Sequence, residues 1–497
     1  MTGEPSVHVT WFDDLAVRTA AAALAAGDVA SHDRVHAMRR RIDEPLRVAI
    51  AGRAKSGKST LLNALVGEAM APTDASECTR VVTWYENGRS YGATAELRDG
   101  GRAAVPLHRE GLGVSIDLAG LDEESIERLV VEWPNRTLRA MTIIDTPGIG
   151  SLSGIGRRTT RFLAGDDEEP TGSPADAVLY LTKHVHRDDV AFLEAFHDHD
   201  GGSASPVNAI GVLARADEIV GGRVEAFASA AAIAARTARD PAIRRLCQTV
   251  VPLAGLVAEA ASTLTEAEYQ AIRRLAGLAE DEAAELLLSV DRFRGPEGFS
   301  CGLSDDERRI LLDRFGIYGV RLGRSVLRAR PDLGARGLAD ELRRLSGLDD
   351  LVQLLGESFT ARRDLLKLRS AVTSLGQVLA VSPGWADAAE GLRRELESLR
   401  AGAHELVELD LLLALRRGDT ELDERAVAEA EQLLAPGDAA ARLGLTGAEP
   451  EVLWQEVLTR IGRWRARSEH PLANPQAATV ARGLVRTLEG FAATLRR

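Results

Sequence analysis

Cysteine, aromatic residues, excess positive charge and long apolar runs are all scarce in this chain, and each shortage closes off a class of protein. Only three cysteines occur in 497 residues, Cys78, Cys247 and Cys301, far apart and without a CxxC pair. They supply neither a disulfide framework nor a zinc site, which points to a reducing cytoplasm. Aromatics make up 4%, while Ala, Leu and Arg are plentiful, a balance that favours helices over an all-β plan. The net charge of −13 argues against a protein whose main work is coating nucleic acid or an anionic bilayer, without excluding a local basic face. No uninterrupted apolar run approaches the roughly 20 residues that cross a bilayer, and the alanine-rich stretch 226–235 is too short. Residues 1–11 are polar and no apolar signal core follows them. Membrane contact, if present, is expected to be peripheral.

What is present is most concentrated at Gly52-Arg53-Ala54-Lys55-Ser56-Gly57-Lys58-Ser59. This is GxxxxGKS, lying between a β-prone run at 46–51 and a helical stretch at 60–66 that ends at Gly67. Glycines let such a loop wrap a phosphate chain, and its N–H groups join the helix N-terminus in an anion nest. Gly52, Lys55, Ser56, Gly57, Lys58, Ser59 and Thr60 are therefore candidate phosphate-binding residues. Lys58 is placed to reach the β- and γ-phosphates and Ser59 to ligate Mg²⁺.

The rest of the chain divides into three parts. Residues 1–45 read as amphipathic helices. Residues 46–262 alternate β-prone and helical runs, an α/β layer fold, with strands expected at 47–51, 80–85, 138–145, 177–182, 209–214 and 249–253. Inserted hairpins are expected around turns at Glu86-Asn87-Gly88 and Asp99-Gly100-Gly101. The acidic, proline-containing segment 165–174 reads as a loop. Residues 263–497 read as long helices at 265–294, 305–330, 335–345, 348–379, 385–417, 422–434, 450–467 and 475–496, broken by Gly and Pro. An elongated helical bundle fits that pattern.

Four further motifs turn triphosphate binding into a GTPase reading. An apolar strand runs into Asp145-Thr146-Pro147-Gly148, where Asp145 can hold Mg²⁺ and the Gly148 N–H can sense the γ-phosphate. Thr79, in Glu77-Cys78-Thr79-Arg80, is the expected second metal-ligating hydroxyl; an ordinary loop threonine is the alternative. Ala214-Arg215-Ala216-Asp217 stands where the guanine-reading motif [NT]KxD belongs. Asp217 can accept from guanine N1–H and the 2-amino group, a pair adenine does not offer. Arg215 can lie over the base as the usual lysine does, but Ala214 has no polar group to brace the phosphate loop, so a weaker nucleotide grip is expected. Val251-Pro252-Leu253-Ala254-Gly255 resembles the last such motif, with N–H groups near Ala254 facing guanine O6.

With these motifs, the long insertion between Gly52 and Asp145 and a helical second half, the chain resembles the bacterial dynamin-like proteins, in particular the isoniazid-inducible branch of mycobacteria (IniC and IniA). The stretches carrying this resemblance include Thr79-Arg80-Val81-Val82-Thr83-Trp84, Ser289-Val290-Asp291-Arg292-Phe293 and Leu312-Asp313-Arg314-Phe315-Gly316. The resemblance implies a Mg²⁺-dependent GTPase head, a neck drawn from both ends of the chain and a helical trunk. It also implies dimerisation through the heads, with a related dynamin-like protein as a further partner, and action at the inner face of the cell membrane in envelope stress or drug tolerance. Lys55 occupies the place where guanylate-binding proteins carry an arginine finger, so a catalytic cation is one reading of it and a solvated loop lysine the other. A GTP-switched scaffold that organises a complex without deforming lipid is the alternative to membrane remodelling. Charge argues against a GTPase acting on ribosomal RNA.

Three smaller features complete the inventory. His184 and His186, two apart at a strand end, could share a face and bind metal, whereas His197 and His199, on a helical stretch, cannot point the same way; solvated polar turns suit them better. Arg157, Arg158 and Arg161 either face a partner head or start a solvated helix. For lipid, Val381-Ser382-Pro383-Gly384-Trp385 and Phe293-Arg294-Gly295-Pro296 with Phe299 are candidate tips or buried joints.

Overall fold

The protein, seen here as a computed structural model, is described for residues 7–71, 81–110, 113–147, 175–183, 193, 208–223, 225–295, 302–381, 383–418, 420–471 and 473–496. Thr79, Gly148, Cys78, Cys301, Arg157, Arg158, Arg161, the four histidines just named, Phe299 and the segment 165–174 lie outside these residues.

The strands are β1 (Leu46–Gly52), β2 (Thr83–Glu86), β3 (Gly92–Leu97), β4 (Arg102–Val105), β5 (Leu107–Glu110), β6 (Gly113–Ile116), β7 (Ile126–Glu132), β8 (Met141–Asp145), β9 (Ala177–Thr182), β10 (Ala209–Ala214) and β11 (Val250–Leu253). Among the described residues nine of them form one sheet, in the order β11-β10-β9-β1-β8-β2-β7-β3-β4, while β5 and β6 pair separately. The segment from β8 through β1, β9 and β10 to β11 is parallel. Strands β9 and β10 are buried along their whole length, which is why they read as unbroken apolar runs.

Two strand expectations need correction. The turn at 86–88 does not close a hairpin, because β7 inserts between β2 and β3, pairing parallel with the first and antiparallel with the second. The Gly88 N–H instead donates to the Trp133 carbonyl. The run 138–145 is half helix, since Arg136–Ala140 is capped by the Asn135 side chain and the strand starts at Met141. Local side-chain capping outcompeted β propensity there.

The longest expected helices are broken. Residues 265–294 form Glu266–Ala276, Glu280–Leu286 and Val290–Arg294. Residues 348–379 form Leu348–Leu355 and Arg363–Ala380 around a π-turn at Gly356–Thr360, and 385–417 splits at Ala403 into Ala386–Gly402 and His404–Arg417. Asp305–Ala329 bends at Gly316, whose φ of 61° suits glycine.

One core joins the helices Val7–Ala25 and Val29–Asp43 to Arg363–Ala380 and Ala386–Gly402 through Phe12, Leu15, Val35, Leu375 and Leu396. A second joins the helices between 266 and 345 to Gly255–Ser262 and Ala226. The first is a four-helix bundle about 27 Å long by helical rise. Trp385, one of the two proposed lipid tips, belongs to it: its ring is buried and its Nε1 donates to Asp28 at 3.1 Å. Phe293, the anchor of the other, is fully buried in the second core. Both aromatics are joints between helices, because the cores needed large apolar side chains at those turns. Val381 of the first tip is 72% exposed.

Candidate functional site

The parallel strands end together at one edge of the sheet, the edge where α/β folds bind ligands. Ile50 is level with Asp145, Gly52 with Leu181, and Leu213 with Thr182. Gly52 permits the close approach of β9: a Cβ there would stand 2.4 Å from the Leu181 carbonyl oxygen and 2.9 Å from Ser56 Oγ. Gly57 takes φ 95° and starts the helix Lys58–Val66 with no side-chain cap, so its first-turn N–H groups carry the helix dipole toward the loop.

Inside the loop the Lys58 ammonium donates to the carbonyls of Gly52 at 3.4 Å and Arg53 at 3.3 Å. Burial lowers the Lys58 pKa, while the nearby Asp145 carboxylate works against that. Ser59 Oγ donates to Asp145 Oδ2 at 3.2 Å. Asp145 Oδ1 is buried and has no hydrogen-bond partner among the described residues, and burial pushes the carboxyl up to about 6. A hydroxyl and a buried, under-partnered carboxylate are a donor set that fits a hard divalent cation. No group of three or more His, Cys, Asp or Glu able to hold a metal occurs among the described residues. Ser56 Oγ is likewise buried without a partner.

Lys55 is exposed and non-helical, with φ 61°. Its carbonyl accepts from Arg215 Nη2 at 2.8 Å, a contact that sequence reasoning did not anticipate. Asp217 is 8% exposed, its Oδ1 is unpartnered among the described residues, and burial raises its pKa. Tyr318, from the bent helix Asp305–Ala329, is buried nearby, and its phenol is pushed up to about 12, first by burial and then by the Asp217 charge. Gly255 opens the helix after β11 and lies against Thr60, where a Cβ would be 3.4 Å from the threonine methyl. Ala254 departs from expectation. Its N–H donates to the Ser346 carbonyl at 3.0 Å, so in this arrangement it does not face a base.

Asn63, Tyr318 and Ser346 were not singled out from sequence. The Asn63 amide is buried, donates to Ala71 O and Glu259, and accepts from the N–H groups of Met70 and Ala71. It thereby anchors the chain where it leaves toward Thr79. An asparagine inside an otherwise apolar helix was the available signal. Ser346 carries no such mark, because only its backbone acts.

A model of the Dynamin family matches residues 48–191. The isoniazid-induced protein IniC of Mycobacterium tuberculosis is 39% identical over 467 residues, covering 93% of this chain and 92% of the relative. IniA of the same organism is 35% identical over 129 residues, 24% of this chain and 20% of the relative. A solved structure of an oligomerised bacterial dynamin pair aligns over 94% of this chain and 87% of its own, at 13% identity and a TM-score of 0.31. The near full-length match to IniC, taken with the phosphate loop and strand order above, means that this chain belongs to the dynamin family, among its bacterial members related to IniC and IniA.

Proposed function

We propose that the chain is a Mg²⁺-dependent GTPase whose head, 46–262, drives a helical neck and trunk built from 1–45 and 263–497. The observation that carries this reading is the convergence of Ser59 on Asp145 at 3.2 Å, at the same sheet edge where Asp217 keeps an unpartnered buried oxygen. The loop amides and Lys58 bind the phosphates, Lys58 exchanging two carbonyls for phosphoryl oxygens. Asp217 selects guanine. Ser59 and Asp145 hold Mg²⁺, joined by Thr79, and the metal supplies charge neutralisation at the terminal phosphates. Thr79 and the Gly148 N–H respond to the γ-phosphate, and Lys55 offsets charge on the transferred group.

The work done with this cycle is placed at a membrane surface by head-to-head dimers, alone or with a related dynamin-like protein. No helix among the described residues is long and apolar enough to cross a membrane, so contact is through exposed side chains. Leu24, Val29 and Val381 are 52%, 55% and 72% exposed. The Trp385–Asp28 bond brings the turns that carry them to one end of the four-helix bundle. The relatives are called isoniazid-induced, and a role in envelope stress follows by extension.

GTP turnover should require Mg²⁺ and be lost in Lys58→Ala, while Lys55→Ala lowers turnover more than binding. Flotation with anionic vesicles in GTP, GDP and transition-state-analogue states tests the membrane part. The burial of Trp385 and Phe293 favours a second reading, a GTP-switched scaffold. That reading prevails if turnover is present and the protein floats in none of the three states.

A further inference from the structure

We propose that Arg321 is a positioning residue for base recognition, its guanidinium clamping the turn that carries Asp217 to the end of the helix Glu280–Leu286. The inference rests on reading this sheet edge as a guanine-nucleotide site. It adds a route by which the helical half senses the base rather than the terminal phosphate. Asp217 stands in the first turn of a short 3₁₀ helix, Ala216–Gly222. That helix ends on two glycines, both at φ 67°. A Cβ on Gly222 would lie 3.2 Å from the Asp217 carbonyl oxygen and 3.4 Å from the Ile317 Cγ2 methyl. The bare backbone there lets the turn seat against the bent helix Asp305–Ala329. Ile317 and Arg321 both belong to the half of that helix beyond the bend at Gly316.

Every nitrogen of the Arg321 guanidinium is engaged, and on two separate elements. Nη1 donates to the carbonyls of Gly221 at 3.1 Å and Gly222 at 2.5 Å. Nε donates to the Leu287 carbonyl at 2.9 Å, and Nη2 to those of Leu287 at 2.5 Å and Leu288 at 3.0 Å. Leu287 and Leu288 follow directly on Glu280–Leu286. Among the described residues no carboxylate pairs with Arg321, and Arg223 adds a like charge. The cation is set instead between carbonyls at the ends of two helices, where backbone dipoles favour positive charge. Capping Glu280–Leu286 alone would occupy only Nε and Nη2. The remaining nitrogen reaches the turn, 100 positions earlier in sequence. A planar fork holds both elements at once, which the point charge of a lysine does not reproduce.

Affinities of the full chain for GDP and for IDP, which lacks only the guanine 2-amino group, test the positioning. Wild type should prefer GDP by about tenfold, the equivalent of one hydrogen bond to a charged group. Arg321→Ala should narrow that preference to within about twofold. Arg321→Lys, which keeps the charge and loses the fork, serves where alanine does not fold and should cut the preference at least about threefold. A preference undiminished in the folded variants, whatever their melting temperature, would make the arginine merely structural and overturn the proposal. Hydrogen exchange reads the clamp itself. In nucleotide-free protein the same variants should exchange faster at both 218–222 and 286–288, and a rise at only one of these, or at neither, refutes it. GDP should protect 286–288 of wild type as strongly as a non-hydrolysable GTP analogue, because both carry the base. Protection by the GTP analogue alone would put the signal at the terminal phosphate and defeat the route. Wild type that binds no guanine nucleotide would instead sink the functional reading, with exchange in nucleotide-free protein still deciding the clamp.

Discussion

Two buried aspartates sit at opposite edges of the same sheet, and they have been given opposite surroundings. Asp176 precedes β9 at the edge facing the four-helix bundle. It pairs with Arg41 at 3.0 Å and Lys367 at 3.6 Å, and accepts from the Arg47 N–H at 2.9 Å. Burial pushes its carboxyl up, but Arg41 and Lys367 outweigh that and hold it below the ordinary 3.8. Asp145 ends β8 at the other edge. Burial dominates there and lifts it to about 6, against the lowering effects of the Lys58 charge, the Ser59 hydroxyl and the Thr146 N–H. The contrast separates a structural carboxylate from one left short of partners. The first locks Val29–Asp43 and Arg363–Ala380, helices from the two ends of the chain, onto the start of the phosphate-loop strand. The second stays buried with one oxygen unpartnered among the described residues.

The comparison can be broken most forcefully at Asp176. Asp176→Ala leaves Arg41 and Lys367 buried without their anion and should cost about 3–5 kcal/mol in urea unfolding at pH 7. Because the folded pKa is depressed, this stabilisation is complete above about pH 4 and is lost as pH falls through the folded value, so the gap between variant and wild type should narrow in acid. A gap that persists unchanged at pH 2 would mean that the ion pairs are not its source.

Asp145→Asn should act in the opposite direction. Its folded pKa lies above the ordinary 3.8, so the carboxylate's cost appears as pH rises from there to about 6 and is complete above. The amide should stabilise the nucleotide-free protein by about 2–3 kcal/mol at pH 7 while abolishing any shift of the melting temperature by Mg²⁺ with GTP. A variant less stable than wild type would erase the distinction between the two edges.

Asn63→Ala strips the Met70 and Ala71 N–H groups of their acceptor and should cost about 1–3 kcal/mol, with faster hydrogen exchange at 70–71 as the direct check. Smallest in stability is Val381→Ser, within about 0.5 kcal/mol at an exposed site. Its value is that vesicle flotation should fall all the same. Equal flotation would remove this end of the bundle as the lipid contact.

Legibility followed the range of the interactions involved. The phosphate loop and the buried strands β9 and β10 could be read directly, since glycine positions and apolar runs of fixed length encode them locally. The helix Ala335–Leu345 was placed to the residue. The insertion of β7 between β2 and β3 was not visible, because hairpin turn residues at 86–88 look the same whichever strand fills the gap. The lipid tips failed for a related reason: an aromatic beside Pro-Gly has one sequence appearance, whether it is exposed or, like Trp385, buried and hydrogen-bonded to Asp28. The hydrogen bond from Arg215 to the Lys55 carbonyl was hidden too, as nothing in Ala-Arg-Ala-Asp announces a left-handed turn.

By itself the sequence determined where the phosphate-loop motif lies between strand and helix, because that motif needs particular residues at fixed short spacings. It also set the helical character of the second half through apolar periodicity. Tertiary structure alone decided which carboxylate is ion-paired and which keeps an unpartnered oxygen among the described residues, and where the long helices break. Those outcomes depend on groups up to hundreds of positions apart, such as Arg41 and Lys367 around Asp176, whose energies exist only once folding has excluded water from between them.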